Sequence, residues 1–123
     1  MITPRPILLI EDSVDDADLI AFELADAGLH VELHRVELLP ELEAALERSD
    51  WALVVCDSRL PGYDGAEVFA RVRERLPDVP IVFCTGGYHG DNAPLQQAIK
   101  AAQGHVAKDE LERLPALVRQ LLG

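Results

Sequence analysis

Five short apolar runs recur along the chain, at 7–10, 31–36, 51–56, 81–84 and, more weakly, 105–107, and the segments between them carry helical spacing. This alternation predicts βα units around a parallel sheet, an α/β fold. The first, third and fourth runs are nearly continuous in Val, Ile, Leu and Cys, as strands covered by helices on both faces require. The second alternates: Val31 and Leu33 face one way while His30, Glu32 and His34 face the other, which suits an edge strand with a wetter side. A solvated face accounts for its two histidines without a metal.

The intervening helices have recognisable ends. In the first, Val14, Ala17, Ala21, Leu24 and Ala25 form a stripe, Ser13 with Asp16 makes a capping-box pattern, and Gly28 is a natural stop. The second carries Leu42, Ala45 and Leu46 behind Pro40. Val68, Phe69, Val72 and Leu76 mark the third, with Asp64 and Glu67 at its start, Pro77 as terminator and its arginines outward. Leu95, Ala98, Ile99 and Ala102 follow Pro94, and Leu114, Leu117, Val118 and Leu121 form the last stripe, opened by Pro115. No repeat, linker or low-complexity segment interrupts the pattern, so residues 1–123 read as one domain.

Composition narrows the function. The 123 residues suffice for a real core, and 49% hydrophobic with 27% charged residues is ordinary for a globular protein. A net charge of −11 argues against a nucleic-acid partner, which clustered Lys and Arg would attract. No apolar run reaches membrane-span length, and Met-Ile-Thr-Pro-Arg-Pro leads straight into the first strand, so the expected location is cytoplasmic, with no membrane partner. Cys56 and Cys84 each sit inside an apolar run and read as buried reduced thiols.

The chemistry lies where strands end. The first run ends in Glu11-Asp12, the third in Asp57, the fourth in Thr85, and the fifth runs into Lys108. The carboxyl ends of parallel strands share one edge of the sheet, where ligands bind, so these residues are expected to converge. Each alone has a bland reading as a cap or turn residue. Together, three carboxylates in one crevice demand a cation, and Mg²⁺ suits oxygen ligands that share a site with phosphate; Mn²⁺ is the expected substitute. A phosphoryl group there needs cations and donors around its oxygens, which Mg²⁺, Lys108 and Thr85 supply.

The strings Ile-Glu-Asp-Ser at 10–13 and Asp-Ser-Arg-Leu-Pro-Gly-Tyr-Asp-Gly at 57–65, with Thr85 after Ile-Val-Phe-Cys and Lys108 near the end, resemble the receiver domain of two-component response regulators. The resemblance covers nearly the whole chain. It implies a flavodoxin-like, doubly wound five-stranded parallel sheet of order 2-1-3-4-5 flanked by five helices. It further implies Asp57 as phosphoacceptor for a histidine kinase or phosphotransfer protein. Asp12 and Asp57 would ligate Mg²⁺ directly and Glu11 through a water, with a backbone carbonyl of Ser58 or Arg59; Lys108 would hold a phosphoryl oxygen, and Thr85 would swing toward the phosphate as a switch.

By the same resemblance the chain is not a conventional enzyme, has no output domain of its own, and binds a downstream protein through the face of the fourth helix, fifth strand and last helix. A homodimer is a further expectation. Two positions depart from the family pattern: His105 stands where an aromatic Tyr or Phe usually follows the Thr as part of the switch, making it a candidate pH-sensitive element, and Asp109 stands where Pro usually follows the Lys, loosening the loop that aims Lys108.

Three alternatives compete. A purely structural pseudo-receiver would have lost some of Glu11, Asp12, Asp57, Thr85 and Lys108. A metal-dependent phosphatase or phosphotransferase with a strand-end Asp nucleophile needs a second acid at position 59, where Arg59 stands. A flavin protein needs a Ser/Thr/Gly-rich loop after the first strand.

Overall fold

The computed structural model describes residues 3–60, 62–86 and 92–123. Met1, Ile2 and Pro61, named above in the N-terminal lead and the loop motif, lie outside the described residues. Strands β1 (Arg5–Ile10), β2 (Val31–Val36), β3 (Leu53–Asp57), β4 (Ile81–Thr85) and β5 (Gly104–Ala107) form one parallel sheet in the order β2-β1-β3-β4-β5. This is the doubly wound order expected.

Alternation along the strands divides the core in two. Leu8, Ile10, Val54, Cys56 and Phe83 face helices α2 (Leu39–Ala45), α3 (Gly65–Arg75) and α4 (Ala93–Ala101) through Leu42, Val68, Val72 and Ala98. Ile7, Leu9, Val55 and Cys84 face α1 (Val14–Asp26) and α5 (Leu114–Leu122) through Ile20, Leu24 and Val118. The central strands are buried on both faces, which is why they lack polar alternation. The edge strand β2 keeps its wet side, with Glu32 and His34 exposed. Both thiols are free and buried, one on each face of the sheet, so no disulfide joins them.

The helix ends follow the sequence closely. Asp64 caps α3, its carboxylate accepting from the backbone of Ala66 and Glu67, and Asn92 caps α4 through Leu95. Gly28, at φ 78°, closes α1 in the left-handed region.

Four details differ from the sequence reading. The buried face of α1 is Ala17, Ile20 and Leu24, whereas Val14 is 54% exposed and Ala25 also faces solvent. Val14 is the first residue of that helix, ahead of the turns that pack on the sheet. Trp51 lies outside β3, buried, with its indole N–H donating to the Ala45 carbonyl. Arg71 and Arg75 do not simply face water but pair with Glu43 of α2. Finally, two pieces of regular structure were not anticipated: a two-residue antiparallel pair, Arg59–Leu60 with Tyr63–Asp64, and a 3₁₀ turn over Lys108–Arg113 ahead of α5.

Candidate functional site at the carboxyl edge of the sheet

The register carries the strand ends to one edge. Ile10 is level with Val36 and Cys56, Asp57 with Cys84, and Thr85 with Ala107. Glu11, Asp57, Thr85 and Lys108 therefore leave the sheet side by side although they are spread over most of the chain. Glu11, Asp57 and Thr85 are buried, at 1%, 7% and 7% exposure. Asp12 is exposed.

Each side chain is held by a local device. The Glu11 backbone N–H donates to the Val36 carbonyl, and the Arg35 guanidinium donates to the Glu11 carbonyl at 3.0 Å. On the other oxygen of its side chain, Oε2, Glu11 accepts from the Ser13 N–H at 3.3 Å. Beyond β3, the Gly65 N–H donates to the Ser58 carbonyl at 3.1 Å and the Arg59 N–H donates to Asp57 Oδ1 at 3.3 Å. Of the two backbone carbonyls expected near a cation, that of Ser58 is thus already an acceptor in the turn. Gly62, at φ 78°, takes the left-handed conformation that the tight connection between the two short antiparallel segments demands. Gly65 is needed for a different reason: a Cβ there would stand 2.6 Å from Cε1 of the fully buried Phe83 ring.

Donor oxygens of Glu11, Asp12 and Asp57 lie within 4.8 Å of one another, the group that the sequence expected. Lys108 reaches into it from the start of the 3₁₀ turn. Its Nζ lies 2.8 Å from Glu11 Oε1 and 3.3 Å from Asp57 Oδ2, and 2.7 Å from Asp16 Oδ2. The Glu11 contact is an ion pair without hydrogen-bond alignment, so that buried oxygen lacks a directed donor.

Charges are tuned accordingly. Burial pushes the Glu11 carboxyl up to about 7, partly opposed by Lys108 and reinforced by the charge of Asp57. Burial works against the charge of Lys108, but its contacts with Asp16 and Glu11 outweigh it and raise the ammonium above the usual lysine range. Lys108 therefore remains a cation.

Asp16 is the residue that sequence reasoning misassigned. Its backbone N–H donates to Ser13 Oγ at 3.2 Å, as a capped helix start requires. The reciprocal half of the capping box is missing because the Asp16 carboxylate is turned to Lys108, and the Ser13 N–H is satisfied by Glu11 instead. Lys108, which Asp109 follows, has three carboxylates around its ammonium.

Thr85 does not face the acids with a spare hydroxyl. Its Oγ1 is 2.6 Å from Nε2 of His105, an exposed residue of β5. A cavity of about 390 Å³ lies between these strand ends, lined by Thr85, Gly86, Ala107, Lys108 and Asp109.

The profile of the response regulator receiver domain matches residues 7–119. The chain belongs to the response regulator receiver family. This receiver is 36% identical to the C4-dicarboxylate transport transcriptional regulatory protein DctD of Pseudomonas aeruginosa over 108 residues, covering 87% of this chain and 21% of that protein. It is 30% identical to the transcriptional regulatory protein FixJ of Bradyrhizobium diazoefficiens over 127 residues, 99% of this chain and 58% of the relative. The receiver thus spans about a fifth of the one and under two thirds of the other.

Among solved structures, the receiver domain of a sensor histidine kinase from Pseudomonas aeruginosa superposes with a TM-score of 0.81 at 25% identity, covering 98% of this chain and 99% of that one. In that crystal structure a magnesium ion is coordinated in the active-site cleft. A receiver domain protein from Clostridium thermocellum shares the fold, with a TM-score of 0.77 at 22% identity over 96% of this chain and 94% of the other. Among the described residues of this receiver, no helix is long and apolar enough to cross a membrane.

Proposed function

We propose that this receiver is a phosphorylation-dependent signalling switch whose phosphoacceptor is Asp57. The observation that carries the reading is the placement of the Lys108 ammonium 3.3 Å from Asp57 Oδ2, beside the Glu11, Asp12 and Asp57 donor group. A carboxylate oxygen of Asp57 attacks the phosphorus of a phosphohistidine carried by a histidine kinase or phosphotransfer protein. The P–N bond breaks, its electron pair leaves with the imidazole, and an acyl phosphate remains on Asp57.

The hard oxygen donors of Asp12 and Asp57, with Glu11 behind them and the Arg59 carbonyl as backbone ligand, fit Mg²⁺, and Mn²⁺ by the same chemistry. The buried Glu11 oxygen without a directed donor supports the same fit. The bound cation supplies charge neutralisation for the transferring oxygens. Lys108 holds one phosphoryl oxygen, and Thr85 exchanges His105 for another, drawing its loop inward and shifting the population of a second surface state. That surface is the face of α4, β5 and α5, through which a downstream protein or a second copy of the chain binds.

This chemistry is self-phosphorylation followed by self-dephosphorylation, not turnover of a free substrate. The cytoplasm, where kinase phosphohistidine is formed, is its proposed location, and residues 1–123 are proposed to act as one domain.

The test is intact mass after incubation with acetyl phosphate and Mg²⁺. The expected result is a gain of about 80 Da, one phosphoryl group, absent from Asp57→Asn and from a chelator control. A folded wild-type protein that gains no mass would be a pseudo-receiver, and the proposal would fail.

A further inference from the structure

The lysine ammonium has three donors, and here three carboxylates stand around it: Asp16 at 2.7 Å, Glu11 at 2.8 Å and Asp57 at 3.3 Å. Two of these, Glu11 and Asp57, belong to the donor group that fits a divalent cation; Asp16 does not. A cation seated on that group competes with Lys108 for the Glu11 and Asp57 oxygens, because each oxygen's charge is then shared. Asp16 is the partner whose contact that competition leaves intact.

Asp16 is also well placed to act as an anchor. It lies in the first turn of α1, where its backbone is tied to the Ser13 hydroxyl, and Ala17 of α1 shares one buried cluster with Leu111 of the turn that bears Lys108 and Leu114 at the start of α5. Its side chain is 35% exposed, so solvent screens the pair and its value lies in geometry more than in stability.

We propose that Asp16 is the positioning residue for Lys108, keeping one ammonium donor engaged so that the other two can turn to the phosphoryl group on Asp57. The inference rests on the phosphoacceptor reading above and adds to it a residue outside the acid group and the Thr–Lys pair. Without Asp16, the ammonium samples other rotamers and meets the incoming phosphoryl group in fewer encounters.

A double-mutant cycle tests it, read as the maximal rate of mass gain from acetyl phosphate at saturating Mg²⁺. Asp16→Ala is expected to slow the wild-type background about tenfold, the effect of losing one charge-assisted hydrogen bond in the transition state, and to change the Lys108→Ala background by less than about twofold. Asp16→Asn, which preserves shape and capping, guards against a folding artefact and is expected to slow the reaction in the same background-dependent way. A second readout needs neither metal nor phosphate: the nitrogen-15 resonance of the Lys108 ammonium, protected in the wild type, is expected to broaden or vanish in Asp16→Asn.

Equal slowing in both backgrounds, no slowing in the wild type, or an unchanged ammonium resonance would overturn the positioning role while leaving the phosphoacceptor reading standing. A wild-type protein that takes up no phosphoryl group would overturn both.

Discussion

Thr85 Oγ1 and His105 Nε2 lie 2.6 Å apart on neighbouring strands, so the hydroxyl assigned to the switch is held toward β5 before any phosphoryl group arrives. The inward movement proposed for Thr85 requires that hydrogen bond to break.

His105→Phe removes this restraint and keeps a flat ring at the position. A net hydrogen bond of this kind is worth about 1 kcal/mol, so the inward population of Thr85 is expected to rise about fivefold in the unphosphorylated protein. The Thr85 methyl resonance checks this: in the variant it should lie closer to its position in the phosphorylated protein. An unchanged resonance would show that the loop, and not the His105 contact, sets the Thr85 position.

The acid site couples pH to both stability and cation binding, with opposite signs. Burial, together with the charge of Asp57, lifts Glu11 from 4.5 to about 7 despite Lys108. Between those values the folded, metal-free protein binds more protons than the unfolded chain, so the stability contributed by Glu11 falls as pH rises through the window. Cation binding needs the carboxylate, so Mg²⁺ affinity climbs with pH and is expected to be about tenfold higher at pH 8 than at pH 6. Titration calorimetry at the two values reads this directly, and Glu11→Gln should flatten the profile. Equal wild-type affinities would show that Glu11 is already ionised at pH 6.

Gly65→Ala tests the packing that positions the loop after Asp57. The added Cβ meets Phe83 Cε1 at 2.6 Å, and Phe83 is fully buried, so the clash is not relieved by a side chain swinging into solvent. The expected cost is about 2 kcal/mol in a urea melt. A melt matching the wild type would mean that the backbone of α3 shifts freely against β4.

Much of this molecule is legible without coordinates because local rules act on neighbouring residues. The continuous apolar runs at β1, β3 and β4, the wet alternation of β2, and the caps at Asp64 and Gly28 all follow from period, burial and backbone preference. The convergence of Glu11, Asp57, Thr85 and Lys108 was legible for a related reason: once strands are parallel, their carboxyl ends must share an edge. The short antiparallel pair after Asp57 and the 3₁₀ turn after β5 were not, since segments so brief carry no period.

Sequence by itself determined the strands, the helix limits, the family and the residues gathered at the edge of the sheet, because each is encoded in neighbours or in a motif of fixed order. Tertiary structure alone decided which partners these side chains take. Asp16 reads as half of a capping box, yet its carboxylate bonds Lys108, 92 residues away, because a half-buried ammonium among several acids outweighs a solvated cap. Thr85 reads as a phosphate ligand, yet it rests on His105, a pairing set by the register of two parallel strands. Competition among partners far apart in the chain is settled by distance and burial, and those quantities exist only once the chain has folded.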